Sequence, residues 1–288
     1  MPTMPTPPTM PTPPTPPIPP SPPVTAGTVP SLHIEARGRG PRLVMAHGFT
    51  QTSRVWAGLD DDLARDHEVV AVDMPGHGRS SAVHSSLVDG ALLLGAAGGR
   101  ATYLGYSMGA RFCLHLALAC PHLVDSLVLI SGTAGIEDPD ERLERRRADG
   151  ALADRLDPPG NAEDALPVEA FLREWMDNPL FAGIDPDAGG FGERLANTGP
   201  GLASSLRRAG TGSQLPLWGK LRELTMPVLV ITGGDDAKFT GLGSRMVEAI
   251  GAGASLAVVP GAGHAPHLQR PRVVADLVRA RPGGDAAD

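Results

Sequence analysis

The sequence predicts an α/β fold, in which a mostly parallel sheet is covered by helices and a helical segment is inserted before the last strands. From Ser31 onward, short apolar runs alternate with helical stretches, which is typical of a parallel sheet buried on both faces. About 95 residues without a strand-like run separate the fifth apolar run from the sixth. A structureless loop of that length is implausible in a compact domain, so the interval must hold helices.

The first 30 residues precede this pattern and differ from it in composition. They contain 14 prolines and 7 threonines, and no charged residue occurs before Glu35. Such a chain buries too little apolar surface to offset its ordering entropy, so we expect a disordered leader over 1–30. It lacks the basic start and apolar core of a secretory signal, and a translation start near Thr28 is an alternative. Residues 31–288 are enough for one large α/β domain.

Charge and cysteine content narrow the class of protein. The chain has 25 Lys plus Arg against 32 Asp plus Glu, a net charge of −7, which argues against nucleic acid as its main partner. No apolar run approaches the roughly 20 residues that a membrane span needs. Cys113 and Cys120 lie in one apolar stretch and are predicted to be free thiols on one helix, which favours a reducing compartment. We therefore expect a cytoplasmic protein, and its oligomeric state stays open.

The apolar runs predict seven strands, at residues 32–36, 43–46, 69–72, 102–105, 126–130, 228–232 and 256–259. Periodic stretches predict helices at residues 55–65, 108–120, 245–250 and 272–279. A further crossover helix should lie between the third and fourth strands. The segment available for it, 81–100, is short and rich in glycine, so the sequence assigns it no bounds.

Amphipathic stretches separated by proline and glycine fill the interval between the fifth and sixth strands. They read ERLERRRADGALADRL, VEAFLREWMDN, ERLAN, GLASSLRRAG and WGKLREL. We predict a helical lid over about 134–222, inserted into a core formed by 31–133 and 223–282. Because ligands of open α/β sheets bind at the carboxyl ends of the strands, the lid is expected to cover that edge.

Residues 105–109 read GYSMG, a G-x-S-x-G motif. The motif alone is weak evidence, but here it follows a predicted strand and opens an apolar helix, as a nucleophile elbow requires. Glycines are needed because the turn is tight and the serine backbone is strained. A serine held in this turn points its hydroxyl into the site at a helix N-terminus, where a nearby anion is favoured. We predict that Ser107 is the catalytic serine.

A catalytic serine needs a base and a carboxylate that orients the base, in the chain order Ser, Asp or Glu, His. The last strand is followed by GAGHAPH, in which His264 is the preferred base and His267 the weaker alternative. The preceding strand is followed by GGDDAKF, which offers Asp235 and Asp236. We choose Asp236, because a carboxylate at this strand end would reach the far imidazole nitrogen.

Two backbone amides should form the oxyanion hole, the pair of donors that stabilises a developing negative oxygen. One belongs to Met108, directly after the serine. The second follows the strand LVMA, where the sequence reads HGFT, and Phe49 is the expected donor. We interpret His47 as a structural turn residue and DMPGHGRS as a tight loop that shapes the sheet edge.

Arginine supplies 23 of the 25 basic residues, so an arginine carries little weight by itself. Arg111 is different, because it lies four residues after Ser107 and so one turn away on the same helix face. A guanidinium in that apolar helix is costly unless it is paired. A structural salt bridge or a bound carboxylate could pair it, and we favour the carboxylate. Arg145, Arg146 and Arg147 also fit a solvated helix face, and the pattern does not choose among them.

Several segments together resemble one known family. They are HGFT, DMPGHGRS, GYSMGAR, LVLISGTAGIEDPDERLERRRAD, NPLFAG, RLANTGPGLASSL and PGAGHAPHL. In these the chain resembles the α/β-hydrolase-fold 2-succinyl-6-hydroxy-2,4-cyclohexadiene-1-carboxylate (SHCHC) synthases of menaquinone biosynthesis, over about residues 31–280. The lid segments make this resemblance narrower than the fold alone. The chain departs from the family at Ala110, where a second glycine is usual.

The resemblance implies a lyase that removes a carbon-bound proton and eliminates pyruvate from 2-succinyl-5-enolpyruvyl-6-hydroxy-3-cyclohexene-1-carboxylate. It assigns the catalytic triad to Ser107, Asp236 and His264. It also implies that five residues bind a small polycarboxylate substrate: Tyr106, Arg111, Arg145, Trp175 and Arg194. No metal-ligand cluster or dinucleotide fingerprint stands out, so we expect no metal and no cofactor.

Other functions remain open on the sequence. A serine hydrolase acting on an ester, thioester or C–C bond of a small carboxylic acid would use the same triad, with Ser107 attacking a carbonyl. A non-catalytic binding protein is disfavoured by the complete set of Ser, Asp and His. A dehalogenase is disfavoured because its nucleophile would be Asp at position 107.

Overall fold

A seven-stranded sheet forms the centre of the structure. The structure is a computed structural model, and it describes residues 30–185 and 188–281. The strands are β1 Ile34–Gly38, β2 Arg42–Ala46, β3 Glu68–Val72, β4 Ala101–Tyr106, β5 Val124–Ile130, β6 Val228–Gly233 and β7 Ala254–Val259. Their order across the sheet is β1-β3-β2-β4-β5-β6-β7. Only β1 pairs antiparallel, against β3, and the other pairs are parallel. The predicted mostly parallel sheet is confirmed, while the leader, apart from residue 30, lies outside the described residues.

Ten α-helices lie within the described residues. They are α1 Leu59–Leu63, α2 Leu87–Gly98, α3 Met108–Ala119, α4 Pro139–Leu156, α5 Val168–Met176, α6 Phe191–Arg194, α7 Gly199–Ala209, α8 Ala237–Ile250, α9 Pro266–Gln269 and α10 Pro271–Arg279. The four between β5 and β6, α4 to α7, occupy the interval predicted to be a helical lid. The stretch WGKLREL within that interval forms a 3-10 helix instead of an α-helix.

Two helices differ from their predicted bounds by more than one residue. The helix predicted at 55–65 shrinks to α1, because Ala57 and Gly58 both adopt positive φ values, of 51° and 77°. The helix predicted at 245–250 begins earlier, at Ala237, because the Asp236 side chain caps it by accepting a hydrogen bond from the Phe239 amide.

The helix without predicted bounds is α2, which packs on α3. Its glycines permit this approach, because a Cβ atom on Gly90 would lie 2.4 Å from the Phe112 ring. The glycine content that obscured this helix in the sequence is therefore what lets it pack closely.

Both faces of the sheet are buried, as the continuous apolar strands predict. Side chains alternate between the faces along β2, where Val44 packs on the side of α2 and α3 and Leu43 on the side of α1 and α10. A third apolar cluster, which includes Phe171 and Leu202, holds the inserted helices together. None of the described helices is both long and apolar enough to cross a membrane.

Candidate active site

The turn between β4 and α3 holds Ser107 in a strained conformation, with φ 49° and ψ −102°. Such a positive φ is uncommon for a residue other than glycine. The turn is tight: a Cβ atom on Gly109 would lie 1.9 Å from the Ala46 carbonyl oxygen, and one on Gly105 would lie 2.5 Å from the α3 backbone. The Ser107 amide donates to the Ile130 carbonyl at 2.8 Å, which ties the turn to β5. These are the features of a nucleophile elbow.

Ser107, His264 and Asp236 are joined by hydrogen bonds. Ser107 Oγ lies 3.2 Å from His264 Nε2, and His264 Nδ1 lies 2.9 Å from Asp236 Oδ2. The three residues come from the ends of β4, β6 and β7, which meet at one edge of the parallel sheet. Asp235, the neighbour that the sequence also offered, is exposed and is not bonded to His264.

The Asp236 carboxylate is ionised under ordinary conditions despite its burial. Burial by itself raises the pKa of this carboxyl, but the hydrogen bonds from His264 and from the Phe239 amide outweigh that effect and lower the pKa. An ionised carboxylate at this position fixes the His264 tautomer that leaves Nε2 free to accept a proton from Ser107.

His267 lies behind the triad. It is fully buried, and its ring lies 4.1 Å from that of Tyr106 and 5.4 Å from that of Trp56, centroid to centroid. Neither ring nitrogen has a hydrogen-bond partner among the described residues. Burial lowers the pKa of His267 well below its usual value, so the ring packs as a neutral group.

The loop after β2 lies beside the elbow and is braced by buried histidines. Both ring nitrogens of His47 are bonded to backbone, with Nε2 accepting from the Met74 amide at 3.0 Å. His77 Nε2 accepts from the Thr50 amide at 3.3 Å, which helps to hold Thr50 at a φ of 67°. These contacts agree with the interpretation of His47 as a structural turn residue.

A cavity of about 180 Å³ opens at Ser107 between the sheet edge and the inserted helices. Nine of the ten residues predicted to form the site line this cavity: Phe49, Tyr106, Ser107, Met108, Arg111, Arg145, Trp175, Arg194 and His264. The tenth, Asp236, lies behind His264. Met108 is the first residue of α3, so its amide has no acceptor within the helix and suits an oxyanion-hole donor.

Arg111 is buried in the cavity wall without a carboxylate partner among the described residues. Its Nη1 donates to the Ala209 carbonyl at 2.7 Å, and the residue is 6% exposed. Burial, and then the charge of Arg145, lower the pKa of its guanidinium to about 10. The group therefore stays charged at neutral pH while part of its donor capacity is unused. Of the two partners considered from the sequence, the salt bridge within the chain is not found in the described structure.

Arg194, at the end of α6, is a second buried cation in the cavity. It donates from Nη1 to the Thr50 hydroxyl and from Nε to the Gly189 carbonyl at 2.8 Å, with no carboxylate partner among the described residues. Burial lowers the pKa of this guanidinium to about 10. Asn197 also contacts the loop, donating from Nδ2 to the Thr50 carbonyl at 2.7 Å.

Arg145 differs from the other two arginines. Its Nε donates to Asp149 Oδ1 at 2.8 Å, and the side chain is 43% exposed. The second carboxylate oxygen of Asp149 accepts from the Gly212 amide at 3.0 Å. Asp149 therefore neutralises part of the charge that Arg145 brings to the cavity, a pairing that the sequence analysis did not identify.

Aromatic rings line the rest of the cavity. Trp175 lies 5.0 Å from Phe49 and 5.9 Å from Phe181, centroid to centroid, and its indole nitrogen is buried without an acceptor among the described residues. Phe239 packs on His264 at 4.3 Å. Sequence reasoning missed Phe181 and Phe239. Phe181 lies in the segment NPLFAG and Phe239 in GGDDAKF, and both segments flank predicted elements.

Gln51 and Lys238 also line the cavity and were missed. A larger, adjoining cavity of about 630 Å³ shares Ser107, Arg111 and Arg145 with the first.

Among the described residues, no three His, Cys, Asp or Glu side chains are grouped so that they could hold a metal ion.

Comparisons with known proteins place this chain in a family. The model of the alpha/beta hydrolase family matches residues 43–277. An SHCHC synthase of Pectobacterium atrosepticum is 32% identical over 248 residues, which cover 83% of this chain and 92% of that protein. The chain belongs to the alpha/beta hydrolase family, among the SHCHC synthases.

Further relatives agree with this placement. A Bacillus subtilis protein, named as a candidate for the same synthase, is 33% identical over 82% of this chain and 88% of its own length. The solved structure of MenH from S. aureus superposes with a TM-score of 0.74 at 25% identity, covering 87% of this chain and 97% of that one. The resemblance that the motifs predicted is confirmed, and so is the α/β-hydrolase fold.

Proposed function

We propose that this protein is an SHCHC synthase of menaquinone biosynthesis, a lyase that eliminates pyruvate from 2-succinyl-5-enolpyruvyl-6-hydroxy-3-cyclohexene-1-carboxylate. The observation that carries the proposal is the pair of buried arginines, Arg111 and Arg194, in the cavity that opens at Ser107. Two guanidinium groups without carboxylate partners in the described residues suit a ligand that brings several carboxylates of its own. The relatives that share the fold and most of the chain support the same activity.

The bond changes follow from substrate and product. The ring double bond of the substrate lies at C3 and the enolpyruvyl group at C5, whereas the product is a 2,4-diene. A proton therefore leaves C2, the C2–H electrons form a C2=C3 bond, the C3 double bond moves to C4, and the C5–O bond breaks. The oxygen departs with the enolpyruvyl group, which takes up a proton to become pyruvate. Because C2 lies next to the succinyl carbonyl, negative charge develops on that carbonyl oxygen.

The triad would serve this elimination as a proton acceptor. In our proposal the Ser107 hydroxyl removes the C2 proton while His264 Nε2 accepts the hydroxyl proton, and Asp236 stabilises the imidazolium that forms. The amides of Phe49 and Met108 would donate to the enolate oxygen. His264 would then return the proton to the departing group.

The remaining groups would hold the substrate. Arg111, Arg194 and the partly neutralised Arg145 would bind carboxylates, while Tyr106 and Trp175 would pack against the ring. The net charge of −7 makes such a local group of cations necessary for binding a polyanion. We further propose that the inserted segment works as a lid, since its residues Arg194 and Trp175 close one side of the cavity.

The charge and cysteine content also suggest the protein's ligand and its cellular location. We propose a small polycarboxylate as the ligand, with no role for nucleic acid. A cytoplasmic location agrees with two free cysteines, of which Cys113 is buried in α3.

A serine hydrolase acting on a small carboxylic acid is the second candidate, because the Ser107 elbow and its hydrogen bonds would serve nucleophilic attack equally well. The test supplies the full chain and a Ser107→Ala variant with the enolpyruvyl substrate prepared in situ and follows pyruvate release. Rapid release that collapses in the variant supports the lyase. Absence of release, together with a burst of product from aryl esters, would overturn it in favour of the hydrolase.

A further inference from the structure

Gln51 is a buried side chain that the proposed mechanism does not use. It lies two residues after Phe49 in the loop that follows β2. It is 1% exposed and lines the cavity at Ser107. Its Oε1 accepts a hydrogen bond from the Gly48 amide at 2.8 Å. Its Nε2 is buried and has no acceptor among the described residues.

The orientation of this carboxamide is determined by its neighbour. If the amide were turned over, Nε2 would face the Gly48 amide, and two donors would point at each other. The bond from Gly48 therefore fixes Oε1 on the loop and leaves the NH2 group as the end without a partner. A buried donor without a partner is costly, so an acceptor supplied by a ligand would stabilise the complex.

The surrounding groups indicate the kind of acceptor. Arg111, Arg194 and the Trp175 indole nitrogen all bring donors to the same cavity. Among the described lining residues, the one carboxylate is that of Asp149, which is already bonded to Arg145 and to the Gly212 amide. Donors thus exceed acceptors in this cavity, and the ligand that balances them carries anionic oxygens.

We infer that Gln51 is a further specificity-determining residue, whose Nε2 donates a hydrogen bond to a carboxylate oxygen of the bound substrate. The inference rests on the proposed polycarboxylate substrate and adds to it a neutral donor beside the arginines. A neutral amide adds a directional hydrogen bond to the carboxylate without adding charge, whereas the guanidinium groups supply both hydrogen bonds and charge.

Two variants separate this role from simple bracing of the loop. Gln51→Glu keeps an oxygen that can accept from the Gly48 amide but removes the donor and adds a negative charge. Gln51→Met keeps the approximate size and removes both functions. We expect KM for pyruvate release to rise about tenfold or more in Gln51→Met and further in Gln51→Glu at pH 8, with smaller changes in kcat.

A pH profile adds a signature that a structural role would not produce. When the carboxyl of the Gln51→Glu variant is protonated, it carries an O–H donor where Nε2 stood. The ratio of its KM to that of the wild type should therefore fall as the pH is lowered from 8 to 5.5. The corresponding ratio for Gln51→Met should stay constant, because methionine does not titrate.

A binding measurement makes the test independent of turnover. Calorimetric titration of the full chain with succinate, and with the neutral succinamide as reference, should show succinate affinity that falls in both variants. Gln214→Met is the matched control, since Gln214 is equally buried but does not line this cavity. Its KM and succinate affinity should equal those of the wild type, whatever stability the loss of a buried glutamine costs.

Each outcome decides the inference. Wild-type KM and affinity in Gln51→Glu, with losses confined to Gln51→Met, would reduce Gln51 to a brace of the loop and overturn the proposal. Unchanged values in both variants would also overturn it, as would a wild type that neither binds succinate nor releases pyruvate. Succinate binding that depends on Gln51, in a protein that releases no pyruvate, would refute the proposed function and leave this inference standing.

Discussion

Asp236 contacts His264 with one carboxylate oxygen and caps helix α8 with the other. Oδ2 lies 2.9 Å from His264 Nδ1, and Oδ1 accepts from the Phe239 amide at 3.1 Å. One side chain therefore orients the proposed base and begins a helix of 14 residues. These two roles can be separated by substitution.

Asp236→Asn should lower kcat by several orders of magnitude without a comparable loss of stability. Its amide oxygen can still cap α8, but the carboxylate that favours the reactive His264 tautomer is gone; in serine proteases the equivalent change costs on the order of 10⁴-fold. Asp236→Ala should lower kcat similarly and also cost about 1 kcal/mol of unfolding free energy through loss of the cap. Pyruvate-release kinetics and urea unfolding of both variants make the comparison. Equal stabilities of the two variants would contradict the capping role.

Arg111→Met should raise KM at least tenfold while leaving the protein as stable as the wild type or more so. The buried guanidinium has no carboxylate partner among the described residues, so an apolar side chain of similar volume removes a desolvation cost. Stability and binding therefore change in opposite directions. The exposed Arg147, which does not line the cavity, provides the control variant Arg147→Met. An unchanged KM in Arg111→Met would remove Arg111 from the site.

Stability should fall as the pH is lowered from about 6.5 to 4. Burial lowers the pKa of His47 to about 4 and that of His77 to about 3, against 6.5 for an ordinary histidine. In this window the unfolded chain binds protons that the folded chain does not, so each histidine costs up to about 1.4 kcal/mol per pH unit. His77→Gln should make the decline shallower, as measured by urea unfolding at pH 7, 6 and 5. A decline as steep as that of the wild type would refute the assignment.

Gly132→Ala should destabilise the fold by about 1 to 3 kcal/mol through overpacking. A Cβ atom on Gly132 would lie 2.8 Å from that of Ala110. The double variant Ala110→Gly/Gly132→Ala should recover most of the loss, because the two methyl groups would no longer meet. Thermal unfolding of the two single variants and the double variant tests this coupling, and simple additivity would disprove it.

The strands were predictable because two signals coincide at each. Runs such as LVLI and VLVI are rich in branched residues, and glycine or proline follows them closely. Every predicted strand lies within two residues of its observed bounds. The triad was predictable for a related reason, since Ser107, Asp236 and His264 each follow such a strand and the strand ends meet at one edge.

Other features depend on contacts that local sequence does not encode. The early end of the predicted 55–65 helix comes from the left-handed backbone at Ala57, a residue with high helix propensity. Asp149 pairs with Arg145 four residues earlier, but only the fold brings it to the Gly212 amide. Gln51 belongs to no motif, and its significance depends on the Gly48 amide that turns its oxygen away from the cavity.

Thr50 joins the inserted segment to the loop that carries the Phe49 amide. Arg194 at the end of α6 binds its hydroxyl, and Asn197 three residues later binds its carbonyl, so a movement of this stretch away from the sheet would break both bonds. Such a movement would free Thr50 from two of the contacts that hold its backbone, and with it the adjacent amide. An open molecule would then be a poor catalyst at the moment when solvent enters. In the proposed mechanism, ligand exchange and proton abstraction would thereby be kept apart in time, which would protect the enolate from water.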